Sequence, residues 1–230
     1  MTRQLLLDVL TAPAPTLANY IAGPNGAAVA AARALSPGRA MYLWGPSGCG
    51  SSHLLRALSS EPGSIFLNAD SDVAVIRTLA EIDSPVLPRV AAIDDVHRMD
   101  EPRQAALFAL YNRWRESAAT SRAFALAVSG DRAPMSMPLR EDLRTRLGWD
   151  LVFRLEPLSD ADKLSALTAR AADRGLYLNP EVVNWMFTHY ERDIRKLTTL
   201  VDMLDRYSLA TGRPITIPLL RTMLADPHLP

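Results

Sequence analysis

Five apolar residues, Ala40 to Trp44, run directly into GPSGCGSSH (45–53), and helically spaced apolar residues follow in SSHLLRALSS (51–60). No other stretch restricts the fold of this chain as strongly. An apolar strand that ends on a glycine-rich loop and restarts as a helix places successive backbone N–H groups on the inside of the turn. The helix N-terminus adds partial positive charge there, so the turn suits an anion such as a phosphate. Gly45 and Gly50 stand at the spacing of the pattern G-x-x-x-x-G-K-[ST], with Pro46, Gly48 and Cys49 between them and the Ser52 hydroxyl in the last position. Ser51 occupies the lysine position, which removes the full charge normally placed on the outer phosphates.

The rest of the first two thirds alternates in the same way. SIFLNAD (64–70), VAAIDD (90–95), AFALAVSGD (123–131) and LVFRLEPL (151–158) read as further strands. Gly26 to Leu35, DVAVIRTLAEI (72–82) and QAALFALYNRWRESA (104–118) read as helices. Strands alternating with helices predict an α/β fold, a five-stranded parallel sheet flanked by helices. After Leu158 the pattern becomes helical throughout. Ser159 is placed to cap a helix with Asp162 reaching back, Gly175 to end it, and Asn179-Pro180 to start another. Arg192 to Leu209 and Pro218 to Leu224 complete a small bundle. The expected organisation is an arm over 1–15, a nucleotide-binding α/β domain over 16–158 and a helical lid over 159–230.

Lys+Arg and Asp+Glu balance at 25 each, without the basic surplus of a protein that grips DNA along its backbone. Cys49 is the single cysteine, which fits a reducing cytoplasm. No run approaches the ~18 apolar residues of a membrane span, and the four histidines are scattered without metal-ligand spacing.

Several charged residues are candidates for chemistry. Asp94 and Asp95 close the third strand, where a carboxylate beside the loop can hold Mg²⁺ or orient water. With nucleotide bound, Ser52 and Asp94 are the expected Mg²⁺ ligands. Asp131 closes the fourth strand in SGD, a position suited to sensing an outer phosphate. Arg140, Arg144 and Arg146 lie in LREDLRTRLGW, and an arginine at a helix end can stabilise transition-state charge in a neighbour's phosphate site. Arg144 and Arg146 are two residues apart and face different ways on a helix, so periodicity does not choose between them.

Together these segments resemble the AAA+ module of the DnaA-type bacterial replication initiators, and most closely their shorter Hda-type regulatory relatives. The likeness covers nearly the whole chain. GPSGCGSSHLL resembles the Walker A region, AAIDDV the Walker B region and AVSGDR the sensor 1 region. TLANYIAGPN (16–25) resembles the segment that contacts the adenine, which implies a nucleotide contact at Tyr20 and Ile21, beside the Walker A contacts at Gly45, Pro46, Gly48, Cys49, Gly50, Ser51, Ser52 and His53. DLRTRLGWD resembles the segment carrying the arginine finger, which falls on Arg146. DIRKL resembles sensor 2, with Arg195. In the arm, QLLLDV resembles a short sliding-clamp motif. An extended arm can seat Leu5, Leu7 and Val9 in an apolar pocket while Gln4 hydrogen-bonds beside it.

The resemblance implies a regulator that docks on the DNA polymerase sliding clamp and offers Arg146 to the ATP held by the DnaA initiator, stopping re-initiation. Its own site, weakened at Ser51, would hold ADP or another adenine nucleotide. The chain stops at Pro230, where initiators continue into a basic helix-turn-helix, so no direct specific DNA binding is expected. The resemblance leaves a homodimer open. Two other readings are a self-contained ATPase of helicase-loader type, against which Ser51 argues, and a nucleotide-free interaction scaffold.

Overall fold

In the computed structural model, residues 14–81, 87–189 and 194–225 are described, all with side chains except Arg195. They divide into two compact units, Pro15–Pro157 and the segment from Leu158 onward. The first unit carries strands β1 (Ala40–Trp44), β2 (Ile65–Leu67), β3 (Val90–Ile93), β4 (Ala125–Gly130) and β5 (Leu151–Arg154). Its helices are α1 (Gly26–Arg33), α2 (Ser51–Leu58), α3 (Val73–Ala80), α4 (Glu101–Ser117) and α5 (Glu141–Leu147).

The strands form the expected five-stranded parallel sheet, in the order β2-β3-β4-β1-β5. Alternation along each strand builds two apolar layers, because successive side chains leave a strand on opposite faces. Tyr42, Ile93, Leu126 and Val128 share one layer with Leu107, Leu110 and Tyr111 of α4 and Leu143 of α5. Met41, Leu43, Ala92 and Ala127 share the other with Leu54, Leu55 and Leu58 of α2. Sheet residues buried on both faces read as unbroken apolar runs, which is why β1 was legible to its last residue.

The strands end where local chemistry stops them. β2 is shorter than the stretch 64–70 read as a strand because the Asn68 N–H donates to Ser71 Oγ at 2.9 Å and the Asp70 N–H to Asn68 Oδ1 at 3.0 Å, closing a turn. β3 stops before the two aspartates because Asp95 is left-handed, at φ 55°. α5 falls in the arginine segment LREDLRTRLGW, which is weighed as helical although its bounds are not read from sequence. It is short, and only Leu143 and Leu147 are buried along it.

Asp150 anchors the starts of β1 and β5. It accepts from Arg39 Nε at 2.8 Å, Arg39 Nη2 at 2.7 Å and the Ala40 N–H at 2.9 Å. Arg39, then the Ala40 N–H, hold its carboxyl below the usual carboxylate range against the opposing effect of burial. A carboxyl with a depressed folded-state pKa stabilises the fold above its unfolded value, about 3.9, and that contribution fades as pH falls through the folded value. Asp150→Asn should therefore lower the urea midpoint at pH 7. The gap from wild type should narrow as unfolding is repeated at pH values falling below 4.

The second unit contains α6 (Asp160–Ala172), α7 (Pro180–His189), α8 (Ile194–Thr211) and α9 (Ile217–Ala225). Ser159 and Asp162 form the expected reciprocal cap of α6, Gly175 lies at φ 70°, and Asn179 Oδ1 accepts from the Glu181 N–H at 3.0 Å. Leu167, Val183, Met186, Leu200, Leu204 and Leu220 centre its own core. Arg170 and Arg174 pair with Asp202, and Arg174 also with Asp205, which ties the α6 region to α8. No helix among the described residues is long and apolar enough to cross a membrane.

Candidate nucleotide site and arginine cradle

β1 lies between β4 and β5, and β4 lies between β1 and β3. The loop after β1 and the carboxylates after β3 therefore flank the end of β4, in the crevice at the carboxyl ends of the strands where open α/β sheets bind ligands.

The loop has the geometry of a backbone anion cradle. Gly48 and Gly50 are left-handed, at φ 81° and 93°. Gly50 is the N-cap of α2 and supplies no side-chain cap, so the first N–H groups of the helix keep their donor capacity. A Cβ on Gly45 would sit 2.3 Å from the Leu155 carbonyl oxygen, so only glycine fits where the loop leaves β1. Cys49 is buried beneath the loop, and its N–H donates to the Pro46 carbonyl at 3.1 Å. These features fit the phosphates of a nucleotide held by backbone donors and the helix dipole. Ser51 adds no charge.

Asp94 is buried, 4% exposed. The Ser129 hydroxyl, on β4, donates to Asp94 Oδ1 and accepts from the Asp95 N–H at 3.1 Å. Ser129 thus joins β3 to β4 at the crevice. Sequence reasoning passed over it for Asp131, although a serine in an otherwise apolar strand is a usable signal. Asp95 is half-buried. Burial first, then the adjacent Asp94, raises its carboxyl pKa, while His97 and Arg98 oppose the rise. Asp131 pairs with Arg132, which holds its carboxyl below the usual range. Among the described residues, no three His, Cys, Asp or Glu side chains gather as a metal site.

Tyr20 leans on the loop. A Cβ on Gly50 would meet its hydroxyl at 2.8 Å. Burial, then the neighbouring Cys49, pushes its phenol up to about 12, with a hydrogen bond to Asn25 acting the other way. Asn25 is buried and bonds Glu156 twice, donating to its carbonyl at 2.8 Å and accepting from its N–H at 2.9 Å. Ile21, beside Tyr20, is half-buried. Ser52 is exposed on the first turn of α2. Arg195 lies in α8, its side chain outside the described residues. Gln4, Leu5, Leu7 and Val9 also lie outside them.

Arg146 lies in the other helical layer. Its guanidinium rests 3.7 Å from the Phe108 ring centroid and 4.8 Å from that of Trp149. Nε and Nη2 donate to Asn112 Oδ1 at 3.0 and 2.6 Å, and Nη1 to the Asp142 carbonyl at 3.3 Å. Burial lowers its pKa, although a guanidinium stays charged at any working pH. Arg144 turns elsewhere, with Nη1 donating to the Met135 carbonyl at 3.4 Å. Arg140 pairs with Asp142 and lies 5.7 Å from the Phe108 ring, and Arg115 covers Trp149 at 4.7 Å. The aromatic cradle that separates the two arginines could not be read from helix spacing.

Residues 160–224 match the family model of the Hda lid domain. Domain III of the Thermotoga maritima replication initiation protein DnaA is similar at TM-score 0.63 and 22% identity, over 93% of this chain and 98% of that one. AMPPCP-bound DnaA from Aquifex aeolicus is similar at TM-score 0.61 and 18% identity, over 86% of this chain and 66% of that one. A Thermotoga maritima RuvB variant is similar at TM-score 0.56 and 17% identity, over 96% and 72% of the two chains. At such identities the likeness establishes the fold alone.

Proposed function

We propose for this chain, a Hda/DnaA-like AAA+ protein, the role of regulatory inactivator of the DnaA initiator. In this reading the arm docks on the polymerase sliding clamp through Gln4, Leu5, Leu7 and Val9. Arg146 then enters the initiator's active site in trans, and the initiator hydrolyses its ATP. The observation that carries the reading is the Arg146 cradle. Phe108, Trp149 and Asn112 hold one guanidinium in a fixed orientation, and three of its five donors are engaged among the described residues. The remaining donors are available to an anion, as a group acting on a neighbour's phosphate requires.

The chain's own loop serves as a binding site for ADP or another adenine nucleotide. An AMPPCP-bound relative of the same fold supports an adenine nucleotide here. Ser52 and Asp94 would hold its Mg²⁺, and Arg195 is a further candidate for contact with the nucleotide. Ser51 makes self-contained hydrolysis the weaker alternative. Initiator ATP turnover, followed with and without this chain and DNA-loaded clamp, tests the role as a whole.

The loop supports its own prediction. Ser51→Lys should tighten ADP binding roughly 10–100-fold by calorimetry, because a hydrogen bond to a charged group contributes about 1.5–3 kcal/mol. Unchanged affinity would mean that the loop does not hold the phosphates.

A further inference from the structure

The fold brings His53, on the first turn of α2, against the segment that precedes α1. Its Nε2 lies 3.2 Å from the Thr16 carbonyl oxygen and 3.0 Å from Asn19 Oδ1. Both are acceptors. The Asn19 amide is oriented by the Thr16 N–H, which donates to the same Oδ1 at 2.8 Å, so His53 carries its proton on Nε2 and donates to the turn. The turn is closed from its other side by the Asn19 N–H donating to Thr16 Oγ1 at 3.1 Å. The imidazole also meets the Tyr20 ring edge-on, with centroids 5.1 Å apart and planes at 84°. Leu17 and Tyr20 pack on the core layer that contains Leu54 and Leu55 of α2, and the Tyr20 hydroxyl lies against Gly50. The His53 side chain therefore engages this segment through its ring nitrogen and through its T-shaped contact with Tyr20.

We infer that His53 is a positioning residue, the latch that holds Thr16–Tyr20 across the mouth of the phosphate loop and thereby sets how tightly the site retains an adenine nucleotide. This rests on the nucleotide reading of the loop. A segment held in its bound position before ligand arrives loses less conformational freedom on binding, so latching it raises affinity without a new contact to the ligand. In a loop that lacks a lysine charge, that contribution is a larger share of the whole.

Two measurements on the full chain separate the latch from the site. Amide hydrogen exchange without nucleotide reads the latch alone. In His53→Ala, exchange at the Thr16 and Asn19 amides should rise at least tenfold, with part of the protection restored in His53→Gln, whose side-chain N–H can donate to the same turn. Asn19→Ala, which leaves α2 untouched, should loosen the same amides. Calorimetry with ADP reads the consequence. His53→Ala and Asn19→Ala should each bind at least tenfold more weakly than wild type, with partial recovery in His53→Gln. Unchanged exchange in His53→Ala overturns the latch. Faster exchange with unchanged ADP affinity overturns its role in retention. No ADP binding by wild type contradicts the nucleotide reading and removes the retention role with it, while the exchange data still decide the latch.

Discussion

Arg146→Ala should abolish nearly all of the chain's stimulation of initiator ATP hydrolysis, a loss of roughly 10³-fold or more, the usual contribution of an arginine supplied in trans. The chain should remain folded, because Leu143 and Leu147, not Arg146, bury α5 in the sheet layer. Circular dichroism and the urea midpoint check that. The cradle makes the prediction graded. Asn112→Ala removes the acceptor for Nε and Nη2 and leaves Phe108 beneath the guanidinium. Ordering one freed side chain costs about 0.5–1.5 kcal/mol, so Asn112→Ala should lose roughly tenfold rather than a thousandfold. Arg144→Ala, whose side chain turns to the Met135 carbonyl, should retain most of the stimulation. Equal losses in Arg144→Ala and Arg146→Ala would contradict the assignment.

The second large effect is structural. Gly45→Ala places a methyl 2.3 Å from the Leu155 carbonyl oxygen and 3.1 Å from Cys49 Sγ. The first of these neighbours is backbone at the end of β5, which cannot swing aside. Overpacking of this kind costs roughly 3 kcal/mol, which for a chain of this size lowers the melting temperature by roughly 6–12 °C. Gly48→Ala is the control. Nothing lies within 4 Å of its added methyl, and only the left-handed φ of 81° opposes it. Its cost should be about 1–2 kcal/mol. A larger shift in Gly48→Ala than in Gly45→Ala would contradict the placement of the loop against β5.

These two sites differ in how much of them was legible in the sequence. β1 was read to the residue because its apolar run stops at a glycine, and the caps at Ser159–Asp162 and Asn179–Pro180 are local patterns with local causes. The loop itself follows from Gly45, Gly48 and Gly50. What the sequence does not display is long-range partnership. Nothing near His53 announces Thr16 and Asn19, 37 and 34 residues away. Nothing near Arg146 announces Asn112, 34 residues earlier. The bounds of α5 escaped because its charged residues outnumber its two buried leucines, and Ser129 because its partner Asp94 follows another strand. The choice of Arg146 over Arg144 came from resemblance. The structure adds a physical reason, the two aromatic rings that hold one guanidinium and not the other.

The most direct test of the regulatory role is single-turnover conversion of initiator-bound ATP to ADP, with this chain and DNA-loaded clamp added together and separately. The account predicts acceleration by wild type that requires the clamp and is lost in a Gln4/Leu5/Leu7 triple alanine variant. No acceleration by wild type, or the same acceleration without clamp, would contradict it.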